Sequence, residues 1–362
     1  MTQIRKLDRR ENNFTIIRFW GAMFVFAGHM GMILGGDPSL VAGFRLHETG
    51  VIILFLIGGY LVSQSWALDP NPLRYAIRRF FRFWPPFAVM ILITVFVFGP
   101  LVSDLGPQGY FASWFTAYLK NLGFYIVYAQ PGVFTDLPMA YNTNGSLWTM
   151  PVEAVLYVLT PLLCMLLRTR KQTKASFRIT LVFTTVLCAL DLVLRFGFPQ
   201  VHPVFYATDW ASAFHLMTFY CIGILYTYDE MRQYLNLQAA CFAFCIMLVL
   251  QLVYEPAQYL VMYILLPYCV FSFALTPRPL FQKFGQKLEL SYGIYLYGFL
   301  FQQLFTSLQQ RNGLNLGYTG IFFFSLAATF VAAALSCVLI EKPCIRLGRY
   351  LIGKTKPRAA GN

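Results

Sequence analysis

About ten apolar runs, each long enough to cross a lipid bilayer, constrain this chain more than any other feature of its sequence. A helical span needs roughly 17–25 residues of this kind. Because lipid offers backbone amides no hydrogen-bonding partner, each run is predicted to be a helix. The sequence therefore predicts an all-α integral membrane protein, one domain over residues 1–362. The runs lie at residues 14–35, 48–66, 83–103, 147–167, 179–197, 205–226, 235–254, 257–275, 289–308 and 318–340.

The composition excludes a soluble domain. Hydrophobic residues make up 58% of the chain and charged residues 12%, whereas soluble domains have about 25% charged residues. The net charge of +13 comes from short basic clusters between apolar runs, which is the arrangement expected of cytoplasmic loops. The lipid bilayer is therefore the expected partner, and nucleic acid is not.

The distribution of Lys and Arg predicts the orientation. Clusters occur before residue 11, at 74–82, at 168–178, at 278–287 and after 341, whereas the intervening loops carry only isolated basic residues. The positive-inside rule then predicts that both termini are cytoplasmic, with 1–13 as the N-terminal segment and 341–362 as a basic tail. The aromatic stretch 109–129 is broken by Gly and Lys, and we expect an interfacial or re-entrant segment there.

The eight cysteines do not indicate a metal site. Nearly all of them fall inside apolar runs, and none has CxxC or Cys/His spacing. Cysteines in this setting usually pack as small hydrophobic side chains. We therefore predict no metal and no disulfide framework.

Ionisable residues within spans are costly and mark functional candidates. Arg18 and His29 lie in the first run, RFWGAMFVFAGH. Eleven residues are about three helical turns, so both side chains share a face and lie about 16 Å apart along the axis. On the cytoplasmic side, Arg79 and Arg82 in RRFFRFWPPF share another face. Guanidinium pairs suit phosphates and diphosphates.

Glu153 belongs to the phrase NGSLWTMPVEAVLY. Asn144 and Gly145 predict a turn, and Ser146 is suited to cap the following helix. Counted from that start, Glu153 lies about 9 Å below the outer surface, and the same arithmetic puts His29 at about 10 Å. A carboxylate beside an imidazole orients it and raises its basicity, so we predict a His29–Glu153 pair.

Other ionisable residues are interpreted as structural. His215 has no partner at matching depth that the sequence identifies, and is read as a packed, hydrogen-bonded histidine. Asp191 is expected near the outer surface, solvated or structurally paired. His47 and Glu48 border an outer loop and are weaker candidates for the site.

Several phrases resemble, in the same order, those of the membrane-bound acyltransferase 3 family, whose members O-acetylate bacterial surface polysaccharides and related glycans. Two departures are Gly58, where the family often has Ser, and Gly298, where many relatives carry His. The resemblance implies a stand-alone form, without an extracytoplasmic esterase-like domain, in the bacterial inner membrane. The matching positions are Arg18 with His29, ILFLIGGYL (53–61), Arg79 with Arg82 and Pro85, GSLWTMPVEAVLY (145–157), SYGIYLY (291–297) and Glu341 to Pro343.

The resemblance also implies a reaction. An acyl group, acetyl in the simplest case, would pass from cytoplasmic acetyl-CoA to a hydroxyl of a surface glycan or lipid-linked saccharide. His29 and Glu153 would be catalytic, either with His29 as general base or through an acyl-histidine. The CoA phosphates would bind Arg18, Arg79 and Arg82. Substrate contacts are expected from Ser146, Trp148, Tyr292, Tyr295 and Gln302.

A transporter is the alternative from another class. The same buried His, Glu and Arg would suit a proton relay, or the path of an anionic or glycan substrate through a flippase. Dependence on acyl-CoA separates the two interpretations.

Overall fold

The computed structural model describes residues 12–36, 40–41, 44–250, 255–313 and 315–355. Most of the predicted N-terminal segment, the end of the predicted basic tail and the last four residues of the predicted span 235–254 lie outside the described residues.

Helices dominate the described chain, as the hydropathy pattern predicts. The only strands within the described ranges form two short antiparallel pairs, Leu40–Val41 with Phe44–Arg45 and Val204–Phe205 with Thr208–Asp209. The α-helices, in chain order, are α1 Phe14–Ile33, α2 Leu46–Leu68, α3 Pro72–Ile93, α4 Gly99–Val102, α5 Gly106–Phe111, α6 Thr149–Leu166, α7 Lys174–Leu192, α8 Trp210–Leu225, α9 Asp229–Arg232, α10 Leu237–Leu250, α11 Glu255–Ala274, α12 Ser291–Asn312, α13 Gly317–Ser336 and α14 Lys342–Lys354.

Six helical segments in the described chain are long and apolar enough to cross a membrane. Three shorter apolar helices, in α8, α10 and α11, accompany them. These helices support a multi-pass membrane protein. The number of ten spans and the cytoplasmic position of both termini stay predictions. The six segments are Phe14–Ile33, Leu46–Leu68, Pro72–Val102, Gly145–Leu166, Lys174–Gly197 and Gly317–Lys354.

Helix boundaries follow local sequence chemistry. Asn71 accepts a hydrogen bond from the backbone amide of Arg74, and Pro72 occupies the first turn of α3, where its missing N–H costs nothing. The α3 helix therefore begins before the basic cluster and carries it within the helix rather than in a loop. The aromatic stretch 109–129 forms the end of α5 and a 3-10 helix, Phe115–Gly123, instead of a long helix.

Glycines allow the central helices to approach closely. A Cβ on Gly50 of α2 would lie 2.4 Å from the carbonyl oxygen of Gly21 in α1. Where α2 crosses α8, a Cβ on Gly59 would lie 1.9 Å from the carbonyl oxygen of Tyr220. Small residues at such contacts let membrane helices pack backbone against backbone. These two contacts fix α2 between α1 and α8.

Candidate functional site

A cavity of about 160 Å³ lies among α1, α2, α3, α6, α8 and α12. This is the size of a cavity that holds a benzene-sized molecule, about 150 Å³. It therefore has room for a short acyl group or a narrow chain. The residues that line it are Arg18, Val51, Leu54, Phe55, Ile57, Gly58, Leu61, Val62, Arg79, Arg82, Phe83, Thr149, Met150, Glu153, Tyr157, Tyr220, Ser291, Tyr292 and Tyr295.

Two cavity arginines share carboxylate partners. Glu289, which precedes α12, lies 3.0 Å from a guanidinium nitrogen of Arg18 and 3.0 Å from one of Arg82. Arg82 also lies 3.5 Å from Glu341, which is 1% exposed. The sequence separates these four residues widely, and the packing of α1, α3 and α12 brings them together. The predicted cluster of Arg18, Arg79 and Arg82 is therefore present as a structural unit.

Arg79 differs from its neighbours because it makes no ion pair within the described chain. One of its guanidinium nitrogens lies 3.3 Å from the Ser65 hydroxyl, and the guanidinium lies 5.8 Å from the ring centre of Tyr75 and 5.6 Å from that of Tyr157. These contacts position a guanidinium without neutralising it. Arg79 is thus the cavity cation best placed to bind an anion.

The neighbouring arginines Arg74 and Arg78 pair with a carboxylate that does not line the cavity. Arg74 and Arg78 both donate hydrogen bonds to the carboxylate of Asp69, in the turn between α2 and α3. Hydrogen bonding from Arg74, and then from Arg78, holds the pKa of Asp69 well below its usual range. Only the next arginine, Arg79, faces the cavity without a carboxylate partner.

Glu153 lies at the arginine end of the cavity, which corrects the predicted His29–Glu153 pair. Its carboxylate accepts a hydrogen bond from the Tyr157 hydroxyl, and the described residues contain no ion pair between Glu153 and His29. The depth count failed because the start of α6 is buried: Asn144 is 0% exposed and donates to the carbonyl oxygen of Leu296 at 2.8 Å. A helix that begins inside the protein carries Glu153 deeper than a count from the surface predicts.

Hydroxyl groups mark the opposite end of the cavity. The hydroxyls of Thr149 and Tyr295 lie 2.5 Å apart, and Tyr295 donates to the carbonyl oxygen of Ser146 at 3.2 Å. Tyr292 also lines the cavity and donates to the carbonyl oxygen of Phe83 at 2.7 Å. Thr149 was not among the predicted residues, although it stands inside the quoted phrase four residues before Glu153.

His29 lies beyond this end and does not line the cavity. It is 7% exposed, and its ring centre lies 5.1 Å from those of His47 and Phe299. Phe299 follows Tyr295 by one turn of α12 and packs edge-on against His29, at an interplanar angle of 80°. Phe299 therefore covers one side of the His29 ring, and neither residue lines the cavity.

Three predicted substrate residues lie outside the cavity lining. Ser146 is buried, and Trp148 packs against the hydrophobic core. The Gln302 amide donates to the carbonyl oxygen of Phe26 at 2.7 Å, and within the described chain it forms no hydrogen bond with His29. A Cβ on Gly298 would lie 2.9 Å from the Phe26 ring. A histidine at that position would therefore require Phe26 to move.

A second buried histidine has the partner that the sequence did not reveal. His215 of α8 bonds through Nδ1 to the carboxylate of Asp191 in α7, and the Tyr263 hydroxyl of α11 donates to the same carboxylate. The interpretation of His215 as a packed, hydrogen-bonded histidine is confirmed. Among the described residues, no group of three or more His, Cys, Asp or Glu side chains has the geometry to hold a metal.

Comparisons with known proteins agree with this architecture. The acyltransferase 3 family model, described as "Acyltransferase domain", matches residues 11–339. An O-acetyl transferase of Shigella phage Sf6 is 23% identical over 92% of this chain and 96% of its own length. Nodulation protein 10 of Rhizobium leguminosarum bv. viciae is 26% identical over 95% of both chains. No solved structure matches the chain significantly.

Proposed function

The chain belongs to the acyltransferase 3 family, and from that premise we propose that it transfers an acyl group, acetyl in the simplest case, from cytoplasmic acyl-CoA to a hydroxyl of a surface glycan or lipid-linked saccharide. The observation that carries the proposal is one narrow cavity lined by guanidinium groups and by the Tyr295 hydroxyl, with the buried His29 packed against Phe299 one turn further along α12. The phage relative is an O-acetyl transferase by name, which supports acetyl as the group and oxygen as the acceptor.

The shape of the cavity favours an extended ligand. Residues from Val51 to Val62 of α2 line it, and eleven helical residues extend about 16 Å. A volume of about 160 Å³ spread over such a length makes a narrow channel. The pantetheine arm of acyl-CoA is a chain of this form, whereas a sugar ring is not. In this proposal, the nucleotide stays at the arginine end and the thioester reaches Thr149 and Tyr295.

The arginines suit the phosphates of the donor. Arg79 makes no ion pair within the described chain, so its charge is available to a phosphate. Arg18 and Arg82 would release the Glu289 carboxylate that they share and bind phosphate oxygens instead. Arginine binds phosphate through several charge-assisted hydrogen bonds at once. Glu153 then balances the charge of the cluster and holds Tyr157, instead of orienting His29.

The proposed reaction replaces the carbon–sulfur bond of the thioester by a carbon–oxygen bond and moves protons from the acceptor hydroxyl and to the departing sulfur. His29 takes the proton of the acceptor hydroxyl, whose oxygen bonds to the acyl carbon as the carbon–sulfur bond breaks. The sulfur leaves as the CoA thiolate and then receives a proton. The hydroxyls of Thr149 and Tyr295 bond to each other and to the carbonyl oxygen of Ser146, and one of them would exchange that bond to donate to the thioester oxygen as its negative charge grows. Phe299 packs edge-on against His29, and in this proposal its ring turns aside as the thioester approaches His29.

An acyl-histidine route uses the same residues in a different order. His29 would attack the thioester first, and the acceptor hydroxyl would then take the acyl group from the ring. Acid-quenched protein that retains label on a peptide containing His29 would distinguish this route from direct transfer.

The test uses the full chain in proteoliposomes with radiolabelled acetyl-CoA and a crude bacterial glycan-lipid extract. We expect CoA release and labelled glycan lipid from the wild type. His29→Ala should lower turnover by about 10²–10⁴-fold, the usual contribution of general base catalysis. Arg79→Ala should weaken acetyl-CoA binding by about tenfold or more, because it removes charged hydrogen bonds.

Two exposed residues supply matched controls. His202 has a side chain that is 65% exposed, and Arg349 is exposed on α14. His202→Ala and Arg349→Ala should retain wild-type turnover and binding. A folded wild type that neither binds nor consumes acetyl-CoA refutes the proposal, and ion-coupled uptake of a labelled anion by the same vesicles would then support a transporter.

A further inference from the structure

A general base works best when a neighbouring group fixes its orientation and tautomer. The sequence assigned that task to Glu153, which lies instead among the arginines. In the described chain, two rings pack against His29, those of Phe299 and His47. Phe299 has no polar atom in its side chain. His47 is the contacting side chain that can accept a hydrogen bond from His29.

The backbone holds His47 firmly in this place. A Cβ on Gly28 would lie 2.3 Å from the backbone nitrogen of His47 and 2.9 Å from its Cβ. The first turn of α2 is therefore pressed against α1 one residue before His29. This close approach stacks the two imidazoles with their ring centres 5.1 Å apart and an interplanar angle of 29°.

One nitrogen of His47 is an orphan. Its Nδ1 is buried and has no hydrogen-bond partner within the described chain. The charged residues beside it on α2, Arg45 and Glu48, are 3.4 Å apart and pair with each other. A buried polar atom without a hydrogen-bond partner is rare in proteins and calls for an explanation, such as a partner that it gains during the reaction. The imidazole of His29, whose ring centre lies 5.1 Å from that of His47, carries an N–H that could satisfy it.

We propose that His47 is the positioning residue for His29. In the stacked state the two rings lie face to face. When the acceptor enters, the His29 ring turns so that one N–H donates to Nδ1 of His47, which leaves the other nitrogen to take the acceptor's proton. This rests on the proposed function in that His29 is the reacting group. His47 acts through His29 and need not touch either substrate.

Gln302 is the competing candidate for this task. Its Oε1 is also buried without a partner, while its amide nitrogen is bonded to the carbonyl oxygen of Phe26. His47 is favoured because its ring is in direct contact with that of His29. Gln302→Met, which keeps the volume and removes the acceptor, therefore serves as the competing variant.

The decisive comparison is between His47→Phe and His47→Asn. Phenylalanine keeps the ring and its stacking but removes both nitrogens. Asparagine loses the ring but places an amide atom near the position of Nδ1. If His47 only packs, Phe is the better replacement. If its nitrogen positions His29, Asn is the better one, with kcat lowered about tenfold in His47→Phe and the KM for acetyl-CoA unchanged.

A second readout does not depend on turnover. Diethyl pyrocarbonate modifies neutral imidazoles, and we label with the glycan-lipid extract present, because the His29 ring turns only when the acceptor enters. Peptide mass spectrometry then gives the rate at His29 relative to the exposed His202 in the same molecule. We expect that relative rate to fall about tenfold in His47→Phe and to recover mostly in His47→Asn. Equal rates at His29 in the wild type and His47→Phe would overturn the proposal, as would a slowing seen only in Gln302→Met. A wild type that consumes no acetyl-CoA would refute the acyltransferase proposal, while the labelling rates still decide the role of His47.

Discussion

His29 and His215 are equally buried, each 7% exposed, yet their surroundings differ completely. His215 is bonded to Asp191, and Tyr263 completes the hydrogen bonding of that carboxylate. The rings of His47 and Phe299 pack against His29, and no described side chain forms a hydrogen bond with it; one nitrogen of His47 is also without a partner. The hydrogen bonds of His215 are thus made within the fold, whereas those of His29 are not. The difference separates a region held by buried hydrogen bonds, at α7, α8 and α11, from the one in which we propose the reaction.

Removing the carboxylate at the structural histidine should give the largest effect on stability. Asp191→Ala leaves His215 and Tyr263 without their acceptor. Loss of one partner from a buried pair costs about 3–5 kcal/mol, so the thermal unfolding midpoint in detergent should fall steeply. Turnover per folded molecule should not change. Asp229→Ala, at a carboxylate whose side chain is 73% exposed, is the control and should cost less than about 1 kcal/mol. Lost turnover in folded Asp191→Ala would remove the distinction between the two regions.

Two adjacent glycines of α2 test the boundary between the regions. Gly59→Ala puts a methyl group 1.9 Å from the carbonyl oxygen of Tyr220, so α2 and α8 must separate. Overpacking of this kind costs about 1–3 kcal/mol. A Cβ on Gly58 lies 3.5 Å from the Tyr220 ring, an ordinary contact, but it faces the cavity. Gly58→Ala should therefore keep the unfolding midpoint and change acyl-donor kinetics. Equal unfolding midpoints for the two variants would contradict the close helix crossing.

Glu289→Gln should tighten donor binding. The carboxylate pairs with Arg18 and Arg82, and the donor phosphates must displace it. A partly exposed pair contributes up to about 1 kcal/mol, so affinity for acetyl-CoA should rise up to about fivefold. Equilibrium binding to the purified protein measures this. Unchanged or weaker binding would mean that the phosphates do not compete with Glu289.

The smallest effect is expected at Asp69, which lies outside the spans. Asp69→Asn removes two ion pairs with Arg74 and Arg78, worth about 1 kcal/mol at neutral pH because the carboxylate is partly exposed. The pKa of Asp69 is held below its unfolded value of about 3.9. The contribution of Asp69 to the free energy of unfolding is therefore complete above about pH 3.9 and is lost as the pH falls further below that value. The difference in unfolding midpoint between the wild type and Asp69→Asn should shrink from pH 6 to pH 3. A constant difference would exclude this linkage.

Local patterns predicted much of the architecture and named several of the residues that line the cavity. The apolar runs predicted the long helices, and the spacing of Arg79 and Arg82 predicted a shared face. The ordered phrases predicted the family and, with Arg18, the members of the arginine cluster. Each of these inferences depends on neighbours along one helix, where 3.6 residues per turn determine what faces the same way.

Inferences that needed the position of one helix against another were less successful. The pairing of His29 with Glu153 was wrong because α6 begins at a buried position, where Asn144 is hydrogen-bonded to Leu296 of α12. Asp191 and His215 were each noticed, but nothing in the sequence joined them. Thr149 emerged as a candidate only once α6 and α12 were packed together, and the packing of α1 against α2 brought His47, a weaker candidate from the sequence, against His29.

The sequence by itself determined that this chain is a helical membrane protein of the acyltransferase 3 family, because hydropathy and short phrases are properties of local sequence. Only the tertiary structure decided which buried charges are neutralised and which remain available. That outcome depends on how far each helix is shifted along its neighbour and rotated against it. Close backbone contacts at glycines such as Gly28 and Gly59 set this relative position to within ångströms. A displacement of one turn, about 5 Å, would exchange the partners of every buried polar group.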